Sequence, residues 1–462
     1  VTGDRWGSKW ILAAVSIALF CVQIDYFAVN LALPRIAADL HAATTDLQWV
    51  ISVYMLTLGA FMVPAGRIGD IFGRRRALLA GIALFGAASV CCAIAPDAGV
   101  LIAARAAQGI GAALIFPVSV SVLTNAYSAE ESSRAIGLAY GIAGLGNAAG
   151  PVVGGILTDT LGWRAVFWLL VPFAVVSLIL GMLAIPETFD HTVARRLDLT
   201  GLGLIVTGVG LFTLTVDRAP SWGWTSAATI GAFAAAVALL AAFVAVERRT
   251  RWPLLDLSLL GNGRFVVLVA AGTVANVAYA VTVFLSTLNL QQVRALTPLA
   301  AGLLFLGPSA GAALGGVLSG RLATSDVAGP AAPAGHSPIA VMGAGCTAAA
   351  LALGLLAAAG DPVIYVVALT ACGLTMGFVY AFTTVATQAV VPPERAGGAA
   401  GVTLTFLVTI AGIGVAVAGT TLEALQGNGF GSGSGIAMIL AVVAAPLLVA
   451  GLVVLQRSRS RV

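Results

Sequence analysis

The strongest constraint on the fold of this chain is a recurrence of apolar stretches about 20 residues long, the length a helix needs to cross the hydrocarbon of a bilayer. Turn residues and charges cut the sequence into 14 such segments, approximately 10–33, 48–66, 76–95, 99–123, 135–158, 164–185, 199–217, 227–246, 264–288, 299–320, 338–359, 362–388, 398–422 and 435–455. Over the whole chain only 9% of residues are charged, where a soluble domain carries about 25%. The reading is an all-α polytopic membrane protein of 14 transmembrane helices. The first stretch, from Trp10, is too long for a cleaved signal sequence and lacks a small-residue cleavage site, so it is read as a span.

Charge sets the orientation. An even number of spans puts both termini on one side. With that side cytoplasmic, Arg35, Arg164, Arg218 and Arg294 fall outside, Arg105 lies within a span, and the other 18 basic residues fall inside. This asymmetry is what the positive-inside rule expects. Trp10, Trp49, Trp163, Trp222, Trp224 and Trp252 fall near span ends, as interfacial tryptophans do. The segment 321–337 is rich in Pro, Gly and Ala and reads as a linker.

Several functions are disfavoured. The five cysteines (Cys21, Cys91, Cys92, Cys346, Cys372) lie in apolar runs, and the three histidines (His41, His191, His336) lie in loops. No metal-ligand spacing and no cofactor motif is visible. No loop is large enough for a catalytic domain, and no nucleophile–histidine arrangement occurs in the spans, so the chain is not read as an enzyme. The net charge of +4 is accounted for by topology and implies no nucleic-acid partner.

Within the first span, "CVQIDYFAVNLALP" (21–34) buries a carboxylate, Asp25. A charge at that depth costs about 2.5–3.5 kcal/mol on insertion scales, and intramembrane ionisable groups are functional candidates. At 1.5 Å per residue Asp25 lies roughly 12 Å from the outer end of span 1, while Arg105 (span 4) and Tyr54 (span 2) lie roughly 9 Å from theirs. The three define one polar layer. Gln108 is one turn from Arg105 on the same face, and Asn30 lies nearer the outer surface. Asp25 is the proton-carrier candidate and Arg105 its counter-ion; the alternative is a structural pair that only fixes packing. Competition between desolvation and the guanidinium would tune the carboxyl group as the layer is exposed first to one side and then to the other. One such carboxylate predicts a low proton stoichiometry.

The loop "GRIGDIFGRRR" (66–76) joins spans 2 and 3. Its glycines permit a tight turn, and Asp70 could form an ion-pair lock with the arginines. The spacing resembles the signature loop of the major facilitator superfamily. "LIAARAAQGIGAA" (101–113) resembles the span-4 motif of that superfamily, and "GLGNAAGPVVGG" (144–155) its antiporter motif in span 5. "IDYFAVNLALP", "LGWRAVFWLLVP" (161–172) and "LNLQQVRALTPLAAG" (288–302) resemble its 14-span branch, the drug:proton antiporter-2 family. The chain departs from the usual first-span pattern at Phe27 and Ala28, and the second half keeps only a remnant loop, "SGRLATSD" (319–326).

The resemblance implies two six-helix bundles, residues 1–185 and 264–462, with a two-helix insertion over 186–263. Substrate is then expected near the midplane, between the two bundles, within which three-helix repeats are related by pseudosymmetry. The implied function is proton-coupled export of amphipathic organic compounds or drugs by alternating access, in the bacterial inner (plasma) membrane, with no cofactor and as a monomer; the partners are the substrate, protons and the lipid bilayer. The implied cytoplasmic lock comprises Gly66, Arg67, Gly69, Asp70, Gly73, Arg74 and Arg75, with Asp70 facing the start of span 13 near Ala399. The implied antiporter motif comprises Gly144, Gly146, Gly150, Pro151, Gly154 and Gly155; Pro151 removes a helical hydrogen bond and the small residues allow close packing. Candidate lining residues are Phe27, Phe116, Tyr279, Phe284, Phe305, Tyr380 and Phe406, with Asn276 and Gln388 as polar candidates. Rival readings are a dedicated exporter of one native metabolite or lipid, an uptake symporter, and a non-transporting sensor or channel.

Overall fold

The computed structural model describes residues 5–41, 44–189, 198–250, 253–254, 258–296, 298–326 and 338–459. Every regular element among them is helical. The helices are α1 (Arg5–Leu40), α2 (Thr44–Phe72), α3 (Arg74–Ala93), α4 (Ala98–Ala126), α5 (Ala129–Thr160), α6 (Arg164–Ala184), α7 (Leu199–Trp222), α8 (Ala227–Glu247), the short α9 (Ser258–Gly261), α10 (Gly263–Leu288), α11 (Pro298–Leu304), α12 (Leu306–Asp326), α13 (Pro338–Ala358), α14 (Pro362–Ala389), α15 (Ala396–Gly427) and α16 (Ser432–Arg459). Thirteen are long and apolar enough to cross a membrane. A fourteenth span is reached when Glu131–Asn147 and Val152–Thr160 of α5, bent by 41°, count as one.

Helix ends extend past the apolar segments. Helix α1 covers Arg5–Leu40 where the hydropathy pattern marks 10–33. Apolar content reports the hydrocarbon crossing, whereas backbone hydrogen bonding continues into the interface. Polar residues at the loops close the ends. Asp97 accepts from Val100 N (2.9 Å), Asp198 from Thr200 N (3.0 Å), and Asp361 from Val363 N and Ile364 N, each satisfying amides that the first helical turn leaves open. Pro362 occupies the first turn of α14, where a missing N–H is harmless. Besides the bend in α5, two further spans are irregular among the described residues. Helix α10 runs into a π-helical turn over Asn289–Val293. Span 10 breaks at Phe305, where Pro308 has no N–H to offer the carbonyl of Leu304.

The helices group into two compact units. The first holds Val1–Ser128, Ala149–Leu259 and Val391–Thr405. In it α4 packs on both α2 and α3, α6 packs on α1 and α3, and α7 lies against α2 and α8. Helix α7 is pinned to α2 at one end. Ser52 donates to Asp217 (2.8 Å), and the Arg218 guanidinium lies 4.3 Å from the centre of the Trp49 ring.

The second unit holds Ala129–Ala148, Leu260–Val390 and Phe406–Val462. Helix α14 packs on α12, α13 and α10, and α13 packs on α16. The first half of α5 meets α12 backbone to backbone. A Cβ added at Gly137 would stand 2.6 Å from the Gly316 carbonyl oxygen, and one at Gly316 3.0 Å from that of Gly137. Contact this close is open only to the smallest residues.

Candidate functional site

Helix α1 places Asp25 inside the first unit with no surface exposure, and α4 brings Arg105 (1% exposed) to meet it. Arg105 Nη1 donates to Asp25 Oδ2 at 2.7 Å. The same nitrogen donates to Gln108 Oε1 at 2.7 Å, and Nε donates to the carbonyl of Val50 at 3.0 Å. The guanidinium carbon lies 4.2 Å from the centre of the Tyr54 ring and 6.0 Å from that of Phe167. The cation therefore has a carboxylate, an amide, a carbonyl and an aromatic face around it. A buried ion pair is costly unless further hydrogen bonds meet its polar groups, and Val50 and Gln108 supply such bonds here. The Tyr54 hydroxyl is buried without a hydrogen-bond partner.

Gln108 completes the layer. Its Nε2 donates to Asp25 Oδ1 (3.3 Å) and to Ser89 Oγ (2.9 Å). Its Oε1 also accepts from Cys92 Sγ at 3.8 Å. Ser89 and Cys92, both on α3, were not singled out by sequence reasoning. A serine in an apolar span usually bonds its own helix, as Ser89 does through Phe85 O (2.7 Å), so nothing in the sequence separates it from the many threonines doing the same.

The loop between α2 and α3 forms a second polar cluster. Asp70 (1% exposed) accepts from Arg74 Nε and Nη2 at 3.0 and 2.8 Å, from Gly397 N at 3.3 Å and from Gly398 N at 2.8 Å. The carboxylate thus caps the first turn of α15, where amides are open and the helix dipole favours negative charge. Arg74 also donates to the carbonyls of Glu394 (2.6 Å) and Pro393 (3.4 Å). Gly73 turns the chain at φ 117°, a conformation strained for any side chain. Gly66 lets the backbones meet, since a Cβ there would stand 2.1 Å from the Gly397 carbonyl oxygen. A Cβ added at Gly69 would stand 3.1 Å from Val118 Cγ2. Arg75 donates through its side chain to Met182 O (2.5 Å), and its backbone N–H donates to Glu187 (3.1 Å); Arg67 is half-buried in the same loop.

The 144–155 stretch spans the bend in α5. Gly146 and Gly150 are buried and Gly155 half-buried; a Cβ added at Gly144 would stand 3.5 Å from Ala313 N, and one added at Gly154 2.6 Å from the Cα of Ala28. The side chains of Pro151, Phe27 and Asn30 lie outside the described residues, as does most of the 321–337 linker. Phe116 is buried among the helices of the first unit.

The remaining candidates lie in the second unit. Asn276 Nδ2 donates to the Leu407 carbonyl (2.8 Å), tying α10 to α15. Tyr279 and Phe305 line a small recess, of about 20 Å³, with Ser309, Pro308 and Cys372. Tyr380 meets Tyr140 edge to face at 5.6 Å, and Phe284 lies against the Cβ direction of Gly419 at 3.7 Å. Gln388 is buried with its amide nitrogen unpartnered, and Phe406 is exposed. Among the described residues no group of three or more His, Cys, Asp or Glu side chains is placed to hold a metal.

This fold is that of a membrane transporter, and residues 15–416 match the Major Facilitator Superfamily. The chain belongs to that family: it is a multi-pass membrane transporter, not an enzyme. It is 34% identical over 420 residues to the multidrug resistance protein Stp of Mycobacterium tuberculosis, covering 89% of this chain and 75% of that protein. It is 30% identical over 431 residues to the tetracenomycin C resistance and export protein of Streptomyces glaucescens, covering 92% and 78%. The crystal structure of the human organic anion transporter MFSD10 (TETRAN) matches 97% of this chain and 98% of its own at a TM-score of 0.67 and 12% identity, a likeness of fold. The bacterial relatives and the helical spans place the protein in a bacterial plasma membrane.

Proposed function

We propose that this protein is a proton-coupled exporter of amphipathic organic compounds, with Asp25 as the proton carrier. The observation that carries the reading is the Asp25–Arg105 pair, an ionisable couple held without solvent exposure inside membrane-spanning helices. Such groups are expensive in a bilayer and are kept where charge moves. The names of the relatives, one a multidrug resistance protein and one an export protein, support the direction and the substrate class. The Asp25 carboxylate holds its partner when ionised; a proton arriving from outside releases the pair, and its departure inward restores it. Residues 1–185 and 264–462 act as the two transport bundles, with 186–263 inserted between them. The Asp70 cluster holds one state of the cycle and the bend of α5 acts as a gate. Aromatic residues of the second unit, Tyr279, Phe284 and Tyr380, with Asn276 and Gln388, contribute to substrate contact.

The test uses purified protein in liposomes with an internal pH dye. An imposed pH gradient and added lipophilic cations should evoke proton flux in the wild type and none in Asp25→Asn. Equal flux in both would return Asp25 to a structural role. A second reading, export of one native metabolite, draws on the tetracenomycin relative; flux evoked by a single compound and by no other cation would favour it.

A further inference from the structure

The amide of Gln108 is saturated. It has two donor positions, directed to Asp25 and Ser89, and an oxygen that accepts from Arg105 and Cys92. While Asp25 is ionised, electrostatics alone would aim the NH2 end at it, because a carboxylate only accepts. A protonated Asp25 can donate as well as accept, and that constraint then lapses. Two constraints persist: Arg105 goes on donating to the amide oxygen, and α3 acts on both ends of the amide. The Ser89 hydroxyl proton is committed to Phe85 O at 2.7 Å, so its oxygen can offer Gln108 only a lone pair. Cys92 offers the other end an S–H. Both side chains are fully buried, so no solvent competes for these positions.

We propose that Ser89 and Cys92 are positioning residues that keep the Gln108 amide aimed at Asp25 in both protonation states of the carboxyl group. This rests on the assignment of Asp25 as proton carrier. Helix α3, which lends the site no charge, then joins Arg105 in fixing the hydrogen-bond polarity that the carrier meets each time it is loaded.

The experiment is an acid-minus-neutral infrared difference spectrum of the whole protein in lipid. The C=O stretch of protonated Asp25 is identified as the band lost in Asp25→Asn. In Ser89→Ala the band should move to higher wavenumber, because the donor end of the amide loses its anchor on α3 and its bond to the carboxyl group weakens. Substrate-evoked proton flux should fall about tenfold, the equivalent of one hydrogen bond to a charged group. In a Gln108→Leu background the same Ser89→Ala change should move the band no further, since the side chain it acts through is gone. Cys92→Ala should move the band in the same direction and serves if Ser89→Ala does not assemble. A band lost in Asp25→Asn yet unmoved by both α3 variants overturns the inference, as does a shift that persists undiminished beside Gln108→Leu. A band retained by Asp25→Asn overturns the carrier assignment itself, and this inference with it.

Discussion

Arg105 Nη1 sits 2.7 Å from Asp25 Oδ2, and neither side chain reaches solvent. Removing one member leaves the other as a buried, uncompensated charge. Arg105→Ala should therefore destabilise the protein by about 3–5 kcal/mol. Asp25→Asn/Arg105→Gln, which removes both charges, should recover most of that loss. Chemical unfolding in detergent measures both; a double variant no more stable than Arg105→Ala would contradict the pairing.

Asp70 collects two bonds from Arg74 and two from the open amides of α15. Bonds to a charged acceptor are worth about 1.5–3 kcal/mol each. Asp70→Asn keeps the shape and loses the charge. It should depopulate the conformer in which α2 and the start of α15 meet by tenfold or more. Spin labels on residues 68 and 400, read as a distance distribution, would report this; unchanged populations would show that the cluster holds no state.

At Gly154 an added Cβ would stand 2.6 Å from the Ala28 Cα, too close for any side chain without movement of α1 or α5. Gly154→Leu should abolish transport while the protein still assembles in the membrane. Gly154→Ala should show a partial defect, with overpacking of about 1–3 kcal/mol. Retained transport in the leucine variant would argue against close α1–α5 packing as a requirement of the cycle.

Beyond the spans, Asp39 accepts hydrogen bonds from Trp163 Nε1 (2.9 Å) and from Arg164. Those bonds hold its carboxyl below the ordinary range, the Trp163 bond being the larger cause. A group with a depressed folded value contributes stability above its unfolded value, about pH 4, and loses it as pH falls through the folded one. The wild type should thus lose its advantage over Asp39→Asn below about pH 4 and keep it at neutral pH. Thermal unfolding across that range checks the sign; because Asp39 is half-exposed, the difference should be small and should shrink in high salt.

Much of this was legible in the sequence. Span number followed from apolar length, because backbone hydrogen bonds cannot be left open in hydrocarbon and a helix closes them locally. Asp25 and Arg105 stood out since charge in a span is rare, and rise per residue placed them at one depth. The meeting of Asp70 with α15 was anticipated from motif resemblance, with no signal in composition. Ser89, Cys92 and the Val50 carbonyl were not legible. A carbonyl carries no residue label, and the azimuth of α3 about its own axis, which decides whether Ser89 faces Gln108 or lipid, depends on tertiary packing. The break at Phe305 had a cause in Pro308, but a proline inside a span does not by itself reveal whether the helix bends or parts.

The crowded surroundings of Arg105 have a consequence of their own. With Asp25 ionised the layer sums to zero; with Asp25 protonated it sums to plus one. The guanidinium keeps Val50 O, Gln108 and the Tyr54 face in either case, so it has no need to leave when its counter-ion is neutralised. A positively charged visitor would meet electrostatic indifference in the first condition and repulsion in the second. Proton and cation would then exclude one another at a distance, through the sign of a stationary charge, without ever contending for the same atoms.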